Sequence, residues 1–174
     1  MSVFKKYAVL LLACLQVLAL AAQEKIQPTE SFLIRGDLQK EWLVDIPAIL
    51  SMGEEPLPDL VITNHLGAPK STYRGLKGVS LKKLLEKLTL DTTDPKLFST
   101  YYFVLEASDG YKVVYSWNEL FNTPVGEKIF LVTAKDGKTI RSLDDRIQVI
   151  SQADQRTGRR ALKGLAFITV RKAA

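Results

Sequence analysis

Four basic residues, Arg156, Arg159, Arg160 and Lys163, lie within eight positions near the end of the chain, and Gly158 stands among them. The planar guanidinium group of arginine suits a phosphate or another oxyanion, and a glycine lets backbone N–H groups approach such a ligand. No aromatic residue interrupts the segment, so it lacks the stacking side chains that bind single-stranded nucleic acid. The segment therefore predicts either an anion-binding loop or a charged, solvated loop.

Other side chains that could do chemistry are few. The chain has one His and one Cys, which nearly excludes zinc fingers, cysteine-rich metal sites, internal disulfides and Cys/His nucleophile pairs. His65 follows Asn64 in a predicted loop, where its imidazole is either a general base, a ligand or a solvated side chain. Asp144 and Asp145 are adjacent in sequence and would face opposite sides of a strand, so a hydrated turn is favoured over a proton-sharing pair.

Composition places the chain among ordinary globular proteins. It has 174 residues, of which 47% are hydrophobic and 25% charged, and its net charge is +5. This length fits one domain with a real core. The charge is well below that of a dedicated nucleic-acid binder, so no nucleic-acid partner is expected. The sequence also contains no nucleophile elbow, phosphate loop or dinucleotide fingerprint.

Residues 1–21 are predicted to be a secretory signal peptide. Lys5 and Lys6 precede an apolar run over residues 8–20, and Ala19-Leu20-Ala21 has the small-x-small pattern of a cleavage site. The apolar run is shorter than a membrane-spanning helix requires, so no transmembrane segment is expected after cleavage. The mature protein is therefore expected to be periplasmic or secreted.

Lipidation is the alternative processing route, because the residues before Cys14 match a bacterial lipobox. The apolar run continues past Cys14, which favours simple cleavage instead. Cleavage would remove two lysines from a net charge of +5, leaving +3, and would also remove the single thiol. A mature chain without cysteine suits an oxidising compartment.

The elements that must position the basic segment are mostly predicted strands. Residues 22–30 are expected to be a flexible lead-in, and residues 31–172 a single domain. Strands are predicted from apolar and β-branched runs at Ser31–Arg35, Trp42–Val44, Leu60–Thr63, Arg146–Ile150 and Leu165–Val170. The run Leu60–Thr63 is expected to be a buried strand. Asp109-Gly110 and Asp136-Gly137 predict two hairpins, spanning Tyr101–Tyr115 and Lys128–Arg141.

Short helices complete the prediction. Asp45 is expected to cap a helix over Ile46–Leu50, and Ser80 a helix over Leu81–Leu88 whose leucines recur at helical spacing. Ser116 and Glu119 form a capping box at the start of a third helix. The fold class expected from these elements is a mixed α+β domain rich in β-strands.

The order of several short motifs resembles the molybdopterin-binding domain of the sulfite oxidase family. The resemblance extends over roughly Phe32 to Val170, almost the whole mature chain. The motifs that carry it are Tyr73-Arg74-Gly75, Gly78-Val79-Ser80-Leu81 with the leucines after it, Ala107-Ser108-Asp109-Gly110-Tyr111, Lys135-Asp136-Gly137-Lys138 and Gly158-Arg159-Arg160-Ala161-Leu162-Lys163-Gly164-Leu165. The resemblance implies a sheet-rich α+β fold. No cofactor is assigned from the residues themselves, and molybdopterin is the cofactor that the resemblance suggests.

The resemblance also implies a binding site. Arg160 and Lys163 match the late basic residues that face the cofactor, and Tyr73 and Arg74 match the segment beside the pocket. The candidate binding residues are Asn64, His65, Tyr73, Arg74, Arg156, Arg159, Arg160 and Lys163. The family's molybdenum-ligating cysteine would fall at about Val61–His65, where this chain has none, and no metal ligand is assigned because a soft metal prefers a thiolate.

Three functions remain open at this point. The first is a non-catalytic, exported domain that binds a pterin-like or other anionic small molecule, or a partner protein of the cell envelope. The second is a sensory or interaction module of the envelope without a ligand. The third is a molybdenum-cofactor oxidoreductase that uses Asn64 or His65 in place of the cysteine.

Overall fold

A mixed five-stranded sheet forms one layer of the protein, for which a computed structural model describes residues 25–173. The strands of this sheet are β1 (Ser31–Gly36), β2 (Trp42–Asp45), β7 (Tyr101–Ala107), β8 (Lys112–Ser116) and β13 (Leu165–Lys172). They lie in the order β2-β1-β13-β7-β8. β1 runs parallel to β13, and the other neighbours are antiparallel. The pairing of β1 with β13 joins the two ends of the domain.

A second, antiparallel sheet forms the other layer. Its strands are β3 (Glu55–Pro56), β6 (Lys77–Ser80), β9 (Ile129–Lys135), β11 (Gln148–Ser151) and β12 (Leu162–Lys163), with β10 (Lys138–Thr139) paired to β9. The order is β12-β11-β9-β6-β3. The first five residues of β9 are all buried, as expected for a strand that is covered on both faces. Leu131 faces the main core between the two sheets, and Phe130 faces a smaller cluster on the other side.

A two-stranded hairpin covers the outer face of the second sheet. Its strands are β4 (Leu60–Thr63) and β5 (Pro69–Tyr73). Leu60, Ile62 and Tyr73 pack with Phe130 and neighbouring residues of the second sheet in the smaller cluster. The prediction that β4 is a buried strand is therefore only half right, because its alternate residue Val61 is 45% exposed.

Three short α-helices occur within residues 25–173. They are α1 (Ile46–Leu50), α2 (Leu81–Leu85) and α3 (Trp117–Phe121), and 3-10 turns span Pro95–Thr100, Gly126–Lys128 and Thr157–Arg159. The expected caps are confirmed at Asp45 and Ser80, and Ser116 and Glu119 form the expected capping box. The prediction that α2 continues to Leu88 is wrong. Lys87 N–H and Leu88 N–H bond to carbonyls three residues back, which tightens the chain out of α-helical geometry.

Both predicted Asp-Gly hairpins form, as β7–β8 and β9–β10. The strand predicted from Arg146 begins instead at Gln148, since Arg146 has a φ of +57° that no strand residue adopts. The fold is thus β-rich with a mixed sheet and few helices, as the sequence predicts.

The predicted signal peptide, residues 1–21, lies outside the described residues. Within the expected flexible lead-in, Gln27 bonds through its backbone N–H and C=O to the Ser108 hydroxyl, both at 2.8 Å. Thr29 forms a parallel bridge with Arg146. This part of the segment is therefore fixed against the domain. In residues 25–173 no helix is long and apolar enough to cross a membrane.

Candidate functional site

A cavity of about 590 Å³ opens between the β4–β5 hairpin and the turn at Thr157–Arg159. Five of the eight residues predicted to bind a ligand line it: Asn64, His65, Tyr73, Arg159 and Lys163. The segment in which the resemblance placed the missing cysteine, residues 61–65, supplies much of one wall, and the basic segment supplies the opposite wall. Sequence positions almost 100 residues apart thus meet at one site.

Thr157 fixes the basic segment to the hairpin. Its hydroxyl donates to the Val61 carbonyl at 2.6 Å and accepts from the Thr63 backbone N–H at 3.1 Å. The side chain therefore replaces a neighbouring strand along the edge of β4. Gly158 allows this contact, because a Cβ atom there would lie 1.9 Å from the Thr63 carbonyl oxygen.

The two guanidinium groups of Arg156 and Arg159 converge at the end of the hairpin. Each donates a hydrogen bond of 3.3 Å to the backbone carbonyl of His65. Arg159 lines the cavity, whereas Arg156 lies just outside it, beside Gly67. Both side chains are largely exposed, and neither has a carboxylate within ion-pair distance among residues 25–173. Their positive charge is available to an anion.

Lys163 reaches the cavity from β12 and has a partner. Its Nζ lies 3.0 Å from a carboxylate oxygen of Asp145, and the neighbouring Asp144 pairs instead with Lys138 at 3.1 Å. Because each aspartate has its own lysine partner, Asp144 and Asp145 do not form a proton-sharing pair. Burial opposes the charged form of Lys163, but the hydrogen bond and charge of Asp145 outweigh it and raise its pKa. The ammonium group therefore stays charged.

Tyr73 closes the inner side of the cavity and is itself buried. Burial raises the pKa of its hydroxyl, so the ring presents a neutral phenol. The Nζ of Lys135 lies 4.0 Å from the centre of the ring, within the range of a cation–π contact. Burial and the charge of Lys163 lower the pKa of Lys135.

Arg160 lies outside the cavity, although the resemblance implies that it faces a ligand. Its Nε donates to Asp154 at 2.7 Å, its Nη2 to the same carboxylate at 2.5 Å and its Nη1 to Glu119 at 3.0 Å. Its guanidinium carbon lies 4.4 Å from the centre of the Tyr115 ring. Asp154 and Glu119 therefore neutralise Arg160 away from the cavity.

Two further candidate binding residues, Arg74 and Asn64, have contacts within the protein itself. Arg74 lies outside the cavity, with its side chain 74% exposed and 3.7 Å from Asp59. The side-chain oxygen of Asn64 accepts from the backbone N–H groups of Leu66 and Ala68, so its role within the protein is to close the hairpin loop.

Several other residues line the cavity, among them Ile26, Lys70, Ser71 and Tyr111. The Tyr111 hydroxyl donates to the Arg159 carbonyl at 2.6 Å and so holds the basic turn from the β7–β8 side. Lys70 adds a further cation from β5. No local pattern identifies these residues, because only the tertiary fold brings them to the cavity.

The donors around the cavity do not fit a molybdenum centre. They are amine, guanidinium, imidazole, amide and hydroxyl groups, without a thiolate, and soft sulfur ligands are those expected for such a metal. Residues 25–173 also hold no group of three or more His, Cys, Asp or Glu side chains suited to a metal. The cationic groups do suit the phosphate that a pterin cofactor carries.

Comparisons with known proteins bear on the fold alone. No protein-family model matches the chain, and no curated protein matches it. The crystal structure of the sulfane dehydrogenase SoxCD from Paracoccus pantotrophus is similar, with a TM-score of 0.60 and 10% sequence identity over 84% of this chain. This chain covers 39% of the length of the SoxCD chain. At this identity the likeness concerns the fold, and it supports the sulfite oxidase-like fold that the sequence resemblance implies.

Proposed function

We propose that the protein is an exported binding domain that holds a small anionic ligand in the cavity between the hairpin and the basic turn. The observation that carries this proposal is the charge of the lining. Lys70 and Arg159 line the cavity without an ion-pair partner among residues 25–173, and Lys163 adds a third cation, which is paired with Asp145. No carboxylate belongs to the lining itself. Such a site attracts an oxyanion such as phosphate, sulfate or the phosphate of a pterin.

The ligand class follows from the donors and the shape. Guanidinium and ammonium groups give charge-assisted hydrogen bonds to phosphate oxygens. The Ser71 hydroxyl and the rings of Tyr73 and Tyr111 could contact a planar group attached to that phosphate. A volume of about 590 Å³ lies within the usual range for small-molecule sites. A phosphorylated heterocycle therefore fits better than an apolar ligand.

The molybdenum oxidoreductase is the less favoured function because the cavity lacks a thiolate. Binding of the organic part of such a cofactor would need only the anion site. Protein purified from its natural source is therefore expected to contain far less than one molybdenum atom per chain. Stoichiometric molybdenum, measured by elemental mass spectrometry, would favour the oxidoreductase instead.

Calorimetric titration tests the anion site. Inorganic phosphate, sulfate and a phosphorylated pterin are titrated into the protein and into the Arg159→Gln and Lys70→Gln variants. Each variant is expected to bind about tenfold more weakly, since one charge-assisted hydrogen bond contributes roughly 1.5 kcal/mol. Arg141→Gln is the control, because Arg141 is an exposed cation away from the cavity. No binding, or equal losses in Arg141→Gln and the two cavity variants, would contradict the proposal.

A further inference from the structure

The tip of the β4–β5 hairpin, residues 64–68, presents an apolar side chain to solvent. Leu66 is 73% exposed. The loop that carries it is ordered by its own hydrogen bonds: the Asn64 side chain accepts from Leu66 N–H at 2.9 Å and Ala68 N–H at 3.0 Å, and the Asn64 N–H donates to the Ala68 carbonyl at 2.8 Å. Leu66 is thus held in its exposed position by the loop.

Cations surround this leucine. Arg156 lies beside Gly67, and both Arg156 and Arg159 bond to the carbonyl of His65, the residue before Leu66. Lys70 is exposed on the strand that leaves the tip. The hairpin from residue 60 to residue 73 contains no Asp or Glu. Within residues 25–173, none of these three cations has an ion-pair partner.

We propose that the hairpin tip docks on an anionic phospholipid surface. Leu66 would enter the interfacial region while Arg156, Arg159 and Lys70 face the lipid phosphates, since juxtaposed basic and apolar groups are what such a surface binds. A protein partner fits less well, because a stable protein interface needs about 800 Å² on each side. The tip offers one exposed apolar side chain surrounded by three exposed cations.

Docking adds Leu66 and Arg156 to Arg159 and Lys70, which also line the cavity. Leu66 and Arg156 are absent from the cavity lining, so the two sites can be altered separately. One arginine near an anionic bilayer raises the affinity for the membrane by about fivefold. Loss of one leucine from the apolar part of the interface lowers that affinity by roughly tenfold. Binding through the tip therefore requires both groups and weakens as salt screens the charges.

Vesicle co-sedimentation with natively purified protein tests the proposal. Vesicles of phosphatidylglycerol and phosphatidylcholine are compared with vesicles of phosphatidylcholine alone. The protein is expected to bind the anionic vesicles, with roughly tenfold weaker binding for Leu66→Ser and about fivefold for Arg156→Gln. Leu43→Ser and Arg141→Gln are the matched controls, because Leu43 and Arg141 are an exposed leucine and an exposed arginine elsewhere in the fold. Both control variants are expected to bind the vesicles as strongly as the parent protein does.

Three results would overturn the docking proposal. They are equal binding to both kinds of vesicle, equal losses in the control and tip variants, and release of the protein by inorganic phosphate but not by chloride of the same ionic strength. The last result would mean that a lipid phosphate enters the cavity. Calorimetry of phosphate binding by the Leu66→Ser variant separates the two sites. Unchanged phosphate affinity together with weakened vesicle binding supports docking through the hairpin tip, whatever the outcome for the cavity variants.

Discussion

At the level of single residues, Arg160 joins three parts of the fold. It bonds to Asp154 in the loop after β11 and to Glu119 in α3, and it stacks over Tyr115 in β8. The Glu119 carboxylate also accepts from the Ser116 backbone N–H in the capping box. One carboxylate therefore both caps a helix and anchors the basic segment, which makes Arg160 a structural residue.

Replacing Arg160 with alanine is expected to lower the free energy of unfolding by about 2 kcal/mol, since it leaves the largely buried Asp154 carboxylate without its partner. The Arg160 side chain is 23% exposed, so solvent keeps the loss below that of a fully buried pair. Urea denaturation measures the change. Arg74→Ala is the control, and it should cost less than about 0.5 kcal/mol because its ion pair is exposed. Equal stability of the two variants would show that the Arg160 network is not structural.

Tyr101 gives stability a dependence on alkaline pH. Burial, with the hydrogen bond that its hydroxyl donates to Asp91, raises its pKa to about 12, whereas an unfolded tyrosine has a pKa near 10. The unfolded chain therefore releases this proton first, and stability is lost as the pH rises from about 10 to about 12. Denaturation at several pH values is expected to give a shallower loss for Tyr101→Phe. The same slope in both proteins would exclude this contribution.

At the level of elements, the contact between the basic turn and β4 depends on Gly158. A methyl group there would overlap the Thr63 carbonyl, so Gly158→Ala is expected to cost about 1–3 kcal/mol and to weaken anion binding by shifting Arg159. Gly110→Ala is the control, because Gly110 has a positive φ but open space around it, and strain alone costs about 1 kcal/mol. Denaturation and calorimetry are both needed. Undiminished anion affinity in Gly158→Ala would separate the turn from the binding site.

Local signals in the sequence predict the elements well. The side chains of Asp45, Ser80 and Ser116 cap helices, and two Asp-Gly pairs turn hairpins, because each signal acts within about four residues. The pairing of β1 with β13 has no such signal, since its partners lie at opposite ends of the chain. For the same reason, no local pattern in the sequence predicts the order of the strands in the sheets.

The candidate site is predictable only in part for the same reason. The basic segment and residues 61–65 were identified from residue types and resemblance, and they do meet. The direction of each side chain was not accessible: Arg159 and Lys163 line the cavity while Arg160 turns to Asp154 and Glu119. Such directions depend on where tertiary structure places the carboxylates.

At the level of the whole molecule, the proposed function includes export of the domain after removal of residues 1–21. Cleavage after Ala21 is expected from the apolar run and the small-x-small pattern before it. N-terminal sequencing of protein from the cell envelope is expected to begin near Ala22. A chain that retains Met1, or one that begins at a lipid-modified Cys14, would contradict cleavage by the ordinary signal peptidase.

The central claim is that an anion binds between the hairpin and the basic turn, and an NMR titration tests it most directly. Phosphate and a phosphorylated pterin are added to ¹⁵N-labelled protein while backbone amide shifts are followed. The shifts are expected to cluster at Asn64, Ser71, Gly158 and Arg159, and to become much smaller in the Arg159→Gln variant. Saturable shifts confined to another region would contradict the claim. So would the absence of shifts at millimolar ligand, because even weak complexes with binding free energies of about −4 kcal/mol are populated at that concentration.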